Sequence, residues 1–167
     1  MRKLLLLLLA LAPFTILSAQ SKRAIKHNQS LSVSYLAIKD GLVSNDSIAV
    51  KKAAVAMTAA LENFKPAGMP TDSQQVFNET KARLMADVTS MAGTQNVNKQ
   101  RKYFATFSET FWQLTGIIPM YKSTLYYQQC PMTGVTWVSN KEEIKNPYYP
   151  KNMLSCGKVI AEHNTSL

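Results

Sequence analysis

Four times along this chain apolar residues recur three or four positions apart, and each run ends at a helix breaker. A chain so patterned is committed to helices that each bury one face. Leu31, Tyr35, Ile38 and Leu42 make the first stripe, with Gly41 weakening its last turn. Val50, Ala54, Met57, Leu61 and Phe64 make the second, on an alanine-rich segment that Ser44 or Asp46 would cap and Lys65-Pro66-Ala67-Gly68-Met69-Pro70 stops. Thr71 followed by Gln74 has capping-box spacing and opens the third, Phe77, Thr80, Leu84, Val88 and Met91, which Gly93 breaks. The fourth is aromatic: Phe104, Phe107, Phe111, Leu114 and Ile118, ending before Pro119. Helices of this length joined by short links favour an all-α fold, an antiparallel four-helix bundle. Apolar stripes at helical spacing are core far more often than cofactor boxes, and these segments carry no His or Cys to hold haem or metal.

From Thr124 onward the pattern changes. Thr124 to Gln129 and Val135 to Ser139 are rich in Thr, Tyr, Val and Trp, which favours two strands, and Cys130-Pro131-Met132-Thr133-Gly134 is the turn between them. Asn146-Pro147-Tyr148-Tyr149-Pro150 is a second turn-rich segment, followed by Met153-Leu154-Ser155-Cys156-Gly157. The expected architecture is therefore a bundle with a small C-terminal β-hairpin and turn-rich appendage at 124–157. The bundle and its appendage form one domain over 31–160, with a tail at 161–167.

The N-terminus addresses the compartment. Arg2-Lys3, the apolar run Leu4 to Leu17 and the small residues Ser18-Ala19 have the order of a cleaved signal peptide at 1–19, too short to span a bilayer. No cysteine lies near the cut to take a lipid anchor. The expectation is a periplasmic or otherwise exported chain that does not insert in a membrane after cleavage. Residues 20–30, with the basic cluster Lys22-Arg23-Ala24-Ile25-Lys26-His27, read as a flexible arm. The formal charge of +9 is spread along the chain rather than gathered in a stripe, so a solvated basic surface is favoured over a nucleic-acid partner.

Chemistry is scarce. No Gly-x-Ser-x-Gly, His-Glu-x-x-His or phosphate-cradling glycine loop is present, and the adjacent Glu142-Glu143 cannot face each other as an acid–base pair, so the reading is non-catalytic. The only two cysteines, Cys130 and Cys156, each have a methionine two or three positions away, Met132 and Met153. Thiolate and thioether are the soft ligands that select Cu(I) or Ag(I), whereas zinc has no use for methionine. His163, in the polar tail, is an outside candidate. The same two cysteines in an exported chain could instead pair as a disulfide; closing the loop from 130 to 156 would contribute about 3.5 kcal/mol. A third possibility is an interaction module built on Tyr126, Tyr127, Trp137, Tyr148 and Tyr149.

Several segments carry a resemblance: Cys130-Pro131-Met132, Trp137, Ile144-Lys145-Asn146-Pro147-Tyr148-Tyr149 and Met153-Leu154-Ser155-Cys156-Gly157, with Tyr35 to Leu42 and Arg101 to Ser108 upstream. Over about 31–160 the chain resembles the bacterial exported domain of unknown function 3347 family. Members occur alone or fused to periplasmic adaptor subunits of heavy-metal (copper/silver) efflux systems. The resemblance implies copper or silver handling, with an efflux adaptor or a metal carrier as partner. Cys130, Met132, Met153 and Cys156 are then the metal ligands, and Trp137, Asn146 and Pro147 shape the fold around them. Pro150 departs from the family pattern, which has glycine there, and proline cannot take a left-handed turn.

Overall fold

The computed structural model describes residues 29–66, 69–118 and 124–164. The segment expected to be a signal peptide, most of the basic arm, Ala67-Gly68, the Pro119 break and the last three residues lie outside them. Four helices come first: α1 (29–43), α2 (Ser47–Asn63), α3 (Thr71–Ala92) and α4 (Val97–Thr115). Three strands follow: β1 (Leu125–Gln129), β2 (Thr136–Ser139) and β3 (Lys158–His163), an antiparallel sheet in the order β2-β1-β3. The chain is predominantly helical with a C-terminal strand appendage. No described helix is long and apolar enough to cross a membrane.

All four apolar stripes face inward. Leu31, Tyr35, Ile38 and Leu42 have no exposed surface, and the stripes of α2, α3 and α4 are buried with them, including Phe64 and Ile118 just past their helix ends. The helix runs through Gly41 because α2 crosses there: a Cβ at residue 41 would lie 2.9 Å from Val50 Cγ2 and 3.1 Å from its backbone nitrogen. The link between α1 and α2 turns at Asn45, whose φ of 56° is left-handed and which asparagine tolerates.

The caps divide between expectation and correction. Asp46, not Ser44, caps α2, its Oδ1 accepting from the N–H groups of Ile48 and Ala49 at 3.0 and 2.9 Å. The capping box at Thr71 does not form. Thr71 is already helical, Pro70 occupies the cap position without a side-chain bond, and Gln74 donates instead to the Met69 carbonyl at 2.8 Å. Proline takes over because its fixed φ is prepared for helix entry and it has no N–H to satisfy.

Tyr35 joins the helices to the sheet. Its ring packs among Phe104, Phe107 and Phe111 with centroids 5.5, 5.6 and 4.0 Å away. Its hydroxyl contacts Ser108 Oγ at 2.6 Å and accepts the Val138 N–H of β2 at 2.9 Å. Burial drives this phenol's pKa far above the ordinary tyrosine value.

The expected hairpin is present, but it belongs to a larger sheet. β3 pairs with the free side of β1 from Leu125↔His163 to Gln129↔Lys158, with a register shift between Tyr127 and Gln128. β3 therefore runs on past residue 160, into the expected tail. His163 correspondingly ends a strand rather than lying in a polar tail. Its ring stacks on Trp112 at 3.9 Å, Trp112 stacks on Tyr127 at 4.7 Å, and His163 Nδ1 meets Thr115 Oγ1 at 2.9 Å. Alternation at β3 is weak, with five of its six residues exposed, so no period-two signal marks it.

Candidate functional site: two thiols at the end of the sheet

Cys130 directly follows β1, where the hairpin turn begins. Its N–H donates to the Val135 carbonyl at 2.9 Å, and the N–H of Gly134 returns to the Cys130 carbonyl at 2.8 Å. Gly134 closes this turn with φ of +76°, a left-handed conformation in which a side chain would be strained. The turn thereby folds its own donors back on the sulfur. Burial raises the Cys130 thiol, but hydrogen bonds from the Thr133 side chain, the backbone of Met132 and Thr133, and Cys156 outweigh it. The net effect holds Cys130 below its ordinary pKa.

Cys156 arrives on the second turn segment. The Tyr149 carbonyl accepts the Met153 N–H at 2.9 Å and the Met153 carbonyl accepts the Cys156 N–H at 3.0 Å, so two successive turns bring the thiol round. Among the described residues with side chains, only Asn45 has a positive φ, so these turns form with Pro150 in place and without a left-handed residue there. Asn146 fastens the far side. Fully buried, it donates from Nδ2 to the Cys156 carbonyl at 3.1 Å, accepts at Oδ1 from Tyr148 and Tyr149 N–H, and donates its own N–H to the Leu154 carbonyl at 2.8 Å.

Trp137 is the floor under this turn. Its indole N–H donates to Gln128 Oε1, and Gln128 in turn donates to the carbonyls of Lys141 and Glu142 at 3.0 and 2.9 Å, so a buried carboxamide is fully used. A Cβ on Gly157 would fall 2.9 Å from Trp137 Cη2 and 2.7 Å from Ile144 Cγ2. Only glycine lets the backbone beside Cys156 lie so close. Tyr148 locks the same region, donating to the Thr136 carbonyl at 2.7 Å.

The two thiols, distant in sequence, lie close enough for each to shift the other's pKa, and both are free. Cys130 is buried; Cys156 is half-buried, its thiol raised by burial and then by the neighbouring Cys130. The pair is thus asymmetric, with the Cys130 thiol lowered and the Cys156 thiol raised. The methionines flank the pair differently: Met132 is 73% exposed at the turn tip, and Met153 is half-buried one turn before Cys156. His163 is engaged with Thr115 and Trp112 on β3 instead. Among the described residues no three or more His, Cys, Asp or Glu side chains gather as a metal-holding group.

Sequence reasoning missed Thr133, Gln128, Gly157 and Arg101 as structural determinants of this corner. A glycine directly after Cys156 was a visible signal of close approach. Arg101 had none, because two of its four acceptors are remote backbone carbonyls, Pro147 at 2.9 Å and Leu42 at 3.0 Å.

One family model matches the chain, described as protein of unknown function (DUF3347), over residues 31–120. That span takes in the four helices and stops before β1, so both cysteine turns lie beyond it. No curated protein and no solved structure gives a significant match. Matched over more than half its length, the chain belongs to the family of proteins of unknown function DUF3347.

Proposed function

We propose that this chain is an exported protein that binds a soft monovalent metal ion, Cu(I) or Ag(I), through the thiolates of Cys130 and Cys156, with Met132 and Met153 as thioether ligands. The observation that carries the reading is the pairing of the only two cysteines at one corner, with one thiol held below its ordinary pKa. Thiolate is the form that ligates, so a lowered pKa favours loading at neutral pH. The donor set fits: two adjacent thiols suit an ion that accepts two soft ligands, and Met132 and Met153 are the methionines nearest to them in sequence. The ion would bring Lewis-acid character and thiolate bonding. The chain's own part is to hold the sulfurs still, through Asn146, Trp137 and the Cys130 turn. The four helices, read as an antiparallel bundle, serve as scaffold, and the signal-like segment at 1–19 sends the protein to the envelope. There an efflux adaptor or a metal carrier would be the partner.

The same proximity also suits a disulfide, which needs two cysteines side by side. A helical interaction module stapled by Cys130–Cys156 is therefore the second reading. Competition titration of fully reduced protein with Cu(I) separates the two. One ion should bind per chain with sub-micromolar affinity, binding should vanish in the Cys130→Ser/Cys156→Ser double variant, and Met132→Ala/Met153→Ala should weaken it about tenfold through loss of soft ligands. Affinity no tighter than micromolar, or unchanged in the methionine variant, sinks the four-sulfur site. Thiol labelling followed by intact mass, in metal-free protein without reductant, reports the disulfide.

A further inference from the structure

A cleft of about 340 Å³ opens between the start of α4 and the turn at 149–152, lined by Asn45, Asn98, Arg101, Tyr149, Pro150 and Lys151 among others. It is separate from the sulfur pair and within the size range of small-molecule sites. Arg101 forms its inner wall. Its Nε donates to the Pro147 carbonyl, one Nη1 hydrogen to Asn98 Oδ1, and both Nη2 hydrogens to the Leu42 carbonyl and Asn45 Oδ1, all at 2.9 to 3.1 Å. Every acceptor is neutral. Among the described residues the ion pairs are Lys39–Asp40 and Lys145–Glu143, so neither Arg101 nor Lys151 has a carboxylate partner. Asp46, next in sequence to the lining residue Asn45, has its Oδ1 directed to the N–H groups of Ile48 and Ala49. A partly buried guanidinium thus brings an uncompensated charge into the cleft, and desolvation lowers its pKa, as expected for a cation lacking an anion.

We propose that this cleft binds a small organic carboxylate, its oxygen taken by the one unused Nη1–H of Arg101 and by the Lys151 ammonium, its body lying against Tyr149 and Pro150. The donor count selects the class. A phosphate is gripped by a guanidinium fork or a nest of N–H groups, and Arg101 has a single N–H left. The first residues of α4, Val97 and Asn98, line the same space, so the helix dipole adds positive potential there. Tyr149 and Pro150 contribute half-exposed apolar surface. The occupant would press on the turn whose Tyr149 carbonyl holds the Met153 N–H.

Benzoate, benzamide and inorganic phosphate titrated separately into isotope-labelled wild-type protein, followed by amide and Arg Nε resonances, test the assignment. Benzoate should shift Asn98, Tyr149, Lys151, Asn152 and the Arg101 Nε saturably, and benzamide, its neutral counterpart, should not. Lys151→Gln, at an exposed position, should weaken benzoate about threefold, the size of an exposed charge contact, while Lys52→Gln on α2 changes nothing. Equal shifts with benzamide, equal or tighter binding of phosphate at the same resonances, or no saturation into the tens of millimolar overturns the proposal. Arg101→Lys adds a second arm: where it folds, as judged by an unchanged amide spectrum elsewhere, benzoate binding should fall at least as far as in Lys151→Gln.

Discussion

Cys130 and Cys156 differ in environment although they touch. Thiolate absorbance followed as pH rises should show two steps belonging to the pair, the first below the ordinary cysteine value because the Cys130 turn donates to its sulfur. Cys156→Ala removes one of those donors and should move the first step upward; an unchanged step would place the stabilisation elsewhere. A depressed thiol pKa also adds stability above the unfolded value that is lost as pH falls through the folded one. Gly157 is the more severe test of packing. Gly157→Ala places a methyl 2.7 Å from Ile144 and 2.9 Å from Trp137, and should cost about 1–3 kcal/mol in urea unfolding, as overpacking does. The cysteines and methionines were legible as residue types with a known taste for ligands. The glycine's role was not, because it depends on an indole that sequence cannot place beneath it.

The helices were legible as elements because period 3.6 is written directly in their apolar residues. Every stripe residue from Leu31 to Ile118 is buried. Caps were less legible, since several residue types at one terminus compete for the same N–H groups. Asp46→Ala should cost about 1 kcal/mol of stability, while Thr71→Ala, at a residue with no capping bond, should stay within about half a kilocalorie per mole of wild type. Thermal unfolding of the two variants side by side checks the assignment; equal losses would restore the capping box. β3 was illegible for a different reason. Its exposed sequence alternates with nothing, and it is a strand because β1 offers an unpaired edge, a tertiary cause.

At the scale of the molecule, helices and sheet share one interior through buried phenols. Tyr35 and Tyr148 are both raised above the ordinary tyrosine pKa of 10.0, chiefly by burial. The unfolded chain therefore ionises first as pH climbs. The contribution of these phenols to stability should be flat up to about pH 10 and fall beyond it, because the folded state keeps their protons longer. Tyr35→Phe should flatten part of that alkaline slope while lowering stability at neutral pH, where Val138 N–H loses its acceptor. An alkaline slope identical to wild type would mean Tyr35 is not held neutral by the fold. The Tyr35–Val138 bond also spans 103 residues of sequence. A mostly helical chain would ordinarily fold quickly through local contacts, but here the first helix cannot complete its own core until a strand near the far end has formed. The rate of folding is thus tied to closure of a long loop, and the N-terminal helices, as they emerge, wait on the hairpin that carries the sulfurs.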